Sequence, residues 1–324
     1  MSKPELLVLA LGGNAISPEH ESADIDAQFE RTRQTVAQLD DWIGAGHGLV
    51  IVHGNGPQVG AALRRVELSA ASVYRLPLHI CVADTQGGMG FMIARCVNAL
   101  PATMGVGRVC AAVVTSVEID PADPAFSTPT KPIGDYLSNE NAARLRATLG
   151  WTMAEIPGHG FRRVVASPAP RRVVESAAIK RLVDHGTIVI AGGGGGVPVS
   201  ATHDSASPNQ DRPIGIDAVI DKDATAALLA IELGASRLVF ATAVRQVFTG
   251  WGTPRQQAVD SATAEKMREW LSVGEFPAGS MGPKVSAALQ FMERSRDAMA
   301  NVVICASDEL KSALRGVSGT RIAK

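Results

Sequence analysis

Three apolar runs in this chain each stop on a glycine cluster. LLVLAL (6–11) ends on Gly12, Gly13 and Asn14, LVIVH (49–53) on Gly54, Asn55 and Gly56, and TIVIA (187–191) on Gly192 to Gly196. Each reads as a buried strand running into a turn without bulk, where the backbone must come close to something. Strand-like runs and helix-like periods alternate along most of the remaining sequence. That alternation predicts an α/β fold built from βαβ units around a mainly parallel sheet.

In such a sheet, ligands bind beyond the carboxyl ends of the strands. Three glycine turns along one edge would form a floor of backbone N–H groups, and the helix N-termini that follow add a field suited to phosphate or carboxylate. One glycine turn needs no ligand to explain it; three at matching positions point to an anion site. Two familiar phosphate motifs are absent. The five glycines do not fit G-x-G-x-x-G, and G-x-x-x-x-G-K-[ST] does not occur.

The segment Ala23 to Gly44 carries Ile25, Phe29, Val36, Leu39 and Ile43 at helical spacing, and Pro57 is placed to open a further helix. VCAAVVTSVEI (109–119) reads as one strand. From Pro121 to Pro170 prolines recur and periodicity fades, apart from a short helix near Asn139 to Leu149, so this stretch reads as an irregular excursion, a lid or binding arm. Strand RLVFATA, helices DKDATAALLAIELGA and PKVSAALQFMERSRD, and a final NVVICA strand followed by DELKSALRG complete the pattern.

Thirty-one basic residues balance 32 acidic ones, so no global field draws the chain to nucleic acid or an anionic membrane, and 4% aromatic residues provide no base-stacking platform. An anion site must therefore be local. Cys81, Cys96, Cys110 and Cys305 form no C-x-x-C pair and sit in apolar contexts, as expected of buried thiols in a cytoplasmic protein. The N-terminal apolar run is too short for a typical signal peptide, and no stretch has eighteen apolar residues. Histidines 20, 47, 53, 79, 159, 185 and 203 have no metal-ligand spacing; His53, beside the second glycine turn, is expected to support the backbone.

Three lysines stand out. Lys131 lies in proline-stiffened TPTKPIG, Lys222 lies between Asp221 and Asp223 at a helix start, and Lys284 follows GSMGP at another. Cations are disfavoured at helix N-termini, so Lys222 and Lys284 make sense if an anion neutralises them. Asp221 and Asp223 read as N-terminal caps, or as the group that holds the lysines or meets a Mg²⁺ travelling with nucleotide phosphates.

Taken in order, ALGGNAI, HGNGPQVG, CVADTQGGMGF, DPADPAFSTPTKPIG, GFRRVVASPAP, AGGGGGVPV, DAVIDKDATAALLA and GSMGPKVSAALQF resemble the carbamate kinase family of the amino-acid kinase superfamily, over almost the whole chain. The resemblance implies an acetylglutamate-kinase-like fold, an open three-layer α/β/α sandwich, and a cytoplasmic homodimer that interconverts carbamate plus ATP and carbamoyl phosphate plus ADP with Mg²⁺. It implies a substrate lobe over residues 1–210, with a protruding lid at about 121–170, and a nucleotide lobe over 211–324. Gly12, Gly13, Asn14, Gly54, Asn55, Gly193 and Gly194 would hold carbamate and the transferred phosphoryl group. Lys131 would reach in from the protrusion, Lys222 and Lys284 would clamp the phosphates with Ala241, Thr242, Met281 and Gly282 alongside, and Asp221 would orient the lysines. The chain departs from the family pattern at Ala241-Thr242-Ala243-Val244-Arg245, where a base replaces an acid, at Ala166 and Ala169, and in a longer loop from Ser200 to Ile214.

Overall fold

Apolar residues on successive strand positions point to opposite faces, and here they fill two separate cores. In the strand Leu6–Leu11, Leu7, Leu9 and Leu11 enter one core with Val36, Ile43 and Ile93, while Val8 and Ala10 enter the other with Leu228, Val285 and Phe291. A strand buried on both faces needs helices on both sides, which is the expected three-layer arrangement. The computed structural model describes residues 4–17, 24–200, 214–277 and 279–324.

Among the described residues the central sheet has eight strands, in the order Ser261–Thr263, Thr320–Ala323, Asn301–Ala306, Arg237–Thr242, Leu6–Leu11, Gly48–His53, Ile188–Ile190 and Cys110–Ala112. From Asn301–Ala306 to Cys110–Ala112 every neighbouring pair is parallel. Leu6–Leu11 pairs with Arg237–Thr242, so the sheet runs unbroken across the division near residue 210.

Two sequence expectations need correction. VCAAVVTSVEI is two strands, Cys110–Ala112 in the central sheet and Ser116–Ile119 in a separate four-stranded sheet, because the chain leaves one sheet for the other between them. The excursion is not irregular: Lys131–Leu137, Gly160–Val165 and Met153–Ile156 form an antiparallel sheet, on which the helix Asn139–Leu149 packs through Ala142 and Leu145. Short strands that bury only one face around a small core leave little periodic signal. The helix Leu78–Asn98 leaves a weak sequence signal, because Gly87, Gly88 and Gly90 interrupt its pattern. A β-carbon at Gly90 would lie 2.6 Å from that of Ala112, so glycine there lets helix and strand approach closely. Residues 201–213 of the long loop, and with them His203, lie outside the described residues, as does His20.

Candidate functional site

Parallel pairing delivers all three glycine turns to the same edge of the sheet, where they pack against one another. A β-carbon at Gly193 would lie 2.4 Å from His53 Nε2, one at Gly194 2.2 Å from Asn55 Nδ2, and one at Gly195 2.2 Å from the Ile220 carbonyl. Gly194 and Gly195 also have φ of 65° and 93°, so steric room and backbone conformation both require glycine. The loop is tied down by polar residues that sequence reasoning missed. Thr115 Oγ1 accepts the Gly192 N–H at 2.9 Å, Thr225 donates to the Gly195 carbonyl at 2.8 Å, and the Gln86 amide grips the Thr115 backbone at 2.9 and 3.1 Å. Their one sequence signal is polarity inside otherwise apolar segments.

The expected floor of N–H groups is narrower than its glycine count. The Gly12 amide donates to the Ala241 carbonyl at 2.9 Å, and that of Gly54 to the Leu11 carbonyl at 3.1 Å. These two glycines provide close approach between strand ends rather than free donors. Around Gly13, by contrast, an added β-carbon would meet nothing within 4 Å among the described residues. Asn14 follows it in the turn Gly13–Ala15. Asn55 is buried and donates from Nδ2 to Thr85 Oγ1 at 2.9 Å. His53 is buried too; its Nδ1 bonds the Gly54 carbonyl at 3.0 Å, and burial pushes its pKa down to about 4. It is a neutral backbone support, as expected.

The three lysines converge. Lys131 Nζ lies 3.0 Å from Asp221 Oδ2, Lys222 pairs with Asp223 Oδ1, and Lys284 Nζ lies 3.1 Å from Asp223 Oδ2. The Lys222 chain runs across the second glycine turn, so that a β-carbon at Gly54 would sit 3.3 Å from its Cδ. Asp221 caps the helix Lys222–Leu233 by accepting the Asp223 N–H at 2.8 Å. Burial pushes the Asp221 carboxyl up, but Lys131, Lys222 and that N–H together hold it below the usual range. Asp221 is expected to orient the lysines; among the described residues its ion pair is with Lys131, and Asp223, only 4% exposed, pairs with the other two. Three ammonium groups thus face two carboxylates, which leaves one positive charge unbalanced at the strand edge.

Ala241 and Thr242 end the strand Arg237–Thr242 beside this cluster: Ala241 receives the Gly12 amide, and the Thr242 carbonyl accepts the Ser307 N–H at 2.9 Å. Met281 and Gly282 open the helix that carries Lys284, and Gly282 N–H donates to the Pro277 carbonyl at 2.9 Å. The departures find local partners as well. Arg245 pairs with Glu309, the Ala169 N–H donates to Asp123 Oδ2 at 3.0 Å, and Ala166 is buried with its carbonyl accepting the Val219 N–H at 3.0 Å. Among the described residues, no group of three or more His, Cys, Asp or Glu side chains is placed to hold a metal ion, and no helix is long and apolar enough to cross a membrane.

Comparison with known proteins is consistent over the full length. The profile of the amino acid kinase family matches residues 5–305. The carbamate kinase-like protein YahI of Escherichia coli (strain K12) is 42% identical over 323 residues, 99% of each chain. A carbamate kinase of Clostridium perfringens is 40% identical over 98% of this chain and 99% of its own. Among solved structures, a carbamate kinase from Giardia lamblia bound to AMP-PNP superposes with a TM-score of 0.89 at 33% identity, covering 100% of both chains.

Proposed function

The chain belongs to the amino acid kinase family and, within it, to the carbamate kinases, and on that premise we propose that it transfers a phosphoryl group reversibly between ATP and carbamate, giving ADP and carbamoyl phosphate. The observation that carries this reading is the meeting of Lys131, Lys222 and Lys284 on two aspartates at the glycine-lined edge. A carbamate oxygen is already anionic, so the reaction needs no general base. It needs two repelling anions held in line and charge neutralised as the phosphoryl group passes between them. Ammonium groups and close backbone provide both.

In this reading the substrate lies at Gly12, Gly13, Asn14, Gly54, Asn55, Gly193 and Gly194 in the N-terminal lobe. The C-terminal lobe takes the nucleotide at Ala241, Thr242, Met281 and Gly282. Lys222 and Lys284 grip its phosphates, and Lys131, from the protrusion over 121–170, neutralises charge on the group in flight. Mg²⁺ fits as a companion of the phosphates rather than as a resident of a protein cage, because both carboxylates at the edge are already paired with lysines. When bound, it would supply further charge neutralisation, and Asp221 or Asp223 would be the carboxylate to meet it.

A homodimer is supported by an apolar cavity of about 1130 Å³ among the helices Ile25–Ala37, Gly56–Ser69 and Leu78–Asn98, flanked by Phe91 at 62% and Tyr74 at 83% exposure. Four buried free thiols suit a cytoplasmic setting, and the reaction run towards ATP would serve amino-acid, such as arginine, or purine breakdown. Purified protein given ADP, Mg²⁺ and carbamoyl phosphate should form ATP. If it binds nucleotide tightly and forms none, the reading fails in favour of a binding protein. If only a different acyl phosphate serves, it is another acid kinase of the same superfamily.

A further inference from the structure

A second cleft, enclosing about 800 Å³, lies between the helix Gly56–Ser69 and the protruding subdomain, and none of the three clamp lysines lines it. Four guanidinium side chains do. Arg64 and Arg75 come from the body, Arg144 and Arg163 from the protrusion, and among the described lining residues Glu67 is the one carboxylate. Such an excess of one sign, drawn from two parts of the chain onto one concavity, raises the local potential and concentrates counter-ions there. Arg163 is the most constrained of the four. Its guanidinium lies 4.2 Å from the centroid of the Trp151 ring, and burial lowers its pKa against the opposing pull of Asp217 and Glu67. A desolvated guanidinium fork on an aromatic face is suited to bidentate contact with phosphate or carboxylate. The cleft also has the size of a small-molecule site.

We propose that this cleft binds a small polyanion, a molecule with at least two phosphate or carboxylate groups, which bridges the body arginines to those of the protrusion. The site is separate from the lysine clamp and does not depend on the reaction assigned to it. Trp151 lines the cleft, so it reports occupancy directly.

The test is a titration of the full-length protein with inorganic pyrophosphate at low salt, followed by tryptophan fluorescence. A saturable change is expected that disappears in Trp151→Phe, persists in Lys284→Ala, and needs at least tenfold more pyrophosphate in Arg75→Ala/Arg144→Ala. Both arginines are exposed, so the double variant should fold; if it does not, Arg75→Ala alone should still weaken binding severalfold. The proposal is overturned if no saturable change occurs, if the change survives Trp151→Phe, if folded arginine variants titrate like wild type, or if Lys284→Ala abolishes the signal.

Discussion

Lys131 and Asp221, 90 residues apart in sequence, meet at 3.0 Å, and their contact ties the protruding subdomain to the first turn of the helix Lys222–Leu233. The pair is only partly shielded, with side chains 36% and 29% exposed, so its contribution to stability is modest. Its importance is positional. Lys131→Ala should leave the unfolding free energy within about 1 kcal/mol of wild type while lowering ATP formation by about a hundredfold or more, as loss of a transition-state charge partner does. Unchanged turnover in a folded Lys131→Ala protein would remove the protrusion from the mechanism.

The two aspartates should behave differently although one residue separates them. Asp221→Asn keeps a good helix cap, since asparagine serves about as well as aspartate there, and it loses the Lys131 pairing. Asp223→Asn leaves two mostly buried lysines without their counter-charge and should destabilise the fold by about 3 kcal/mol. Nucleotide binding should also weaken more in Asp223→Asn, because Lys222 and Lys284 lose their fixed positions. Equal denaturation midpoints for the two variants would contradict this division of labour.

Gly13 and Gly194 provide a matched test of ligand approach. Alanine at Gly194 would collide with Asn55 and force a left-handed backbone, so Gly194→Ala should be destabilising by about 2 kcal/mol or more. Alanine at Gly13 meets no described atom within 4 Å, so stability should hold. If substrate lies against that turn, Gly13→Ala should raise the KM for carbamoyl phosphate at least tenfold; an unaltered KM places the substrate elsewhere.

His53 sets a pH dependence with a definite sign. Its folded pKa is about 4 against an ordinary value of 6.5, so the unfolded chain takes up a proton that the folded chain refuses. Stability from this group is therefore complete above pH 6.5 and declines as pH falls towards 4, by about 3 kcal/mol in all at 1.36 kcal/mol per pKa unit. Urea midpoints measured across that window should slope in wild type and flatten in His53→Gln. Asp221 acts lower: its depressed folded pKa gives stability that is present above the unfolded carboxyl value and lost only in more acid solution.

The parts of this molecule that announced themselves in sequence are those under strong local constraint. Buried strands must be apolar at every position, tight turns must be glycine, and a lysine at a helix start breaks an electrostatic preference, so the mainly parallel α/β fold is legible in the sequence and Lys222 and Lys284 stand out there. Asp223 could be read as a cap, but its hold on Lys284 spans 61 residues and depends on how two helices pack. The protruding sheet hid for a related reason. Its core rests on Ala142, Leu145 and Met153, too few residues to impose a period. Gln86, Thr115 and Thr225 act through single hydrogen bonds to a distant loop, which no spacing rule encodes.

Lys284 and Lys180 provide a test of the proposed phosphate clamp. Lys180 pairs with Asp184 one turn along an exposed helix face, an arrangement worth only a few tenths of a kcal/mol. Lys284 is 13% exposed, begins a helix where the dipole opposes a cation, and shares Asp223 with Lys222. A phosphate group would relieve that unfavourable placement, so Lys284→Ala should weaken ADP binding by at least tenfold at low salt, with a smaller difference as salt rises. Lys180→Ala should change ADP affinity less than twofold under the same conditions. Calorimetric titration of both variants measures the contrast directly, and equal losses would mean that Lys284 carries no more of the phosphate charge than a solvated lysine does.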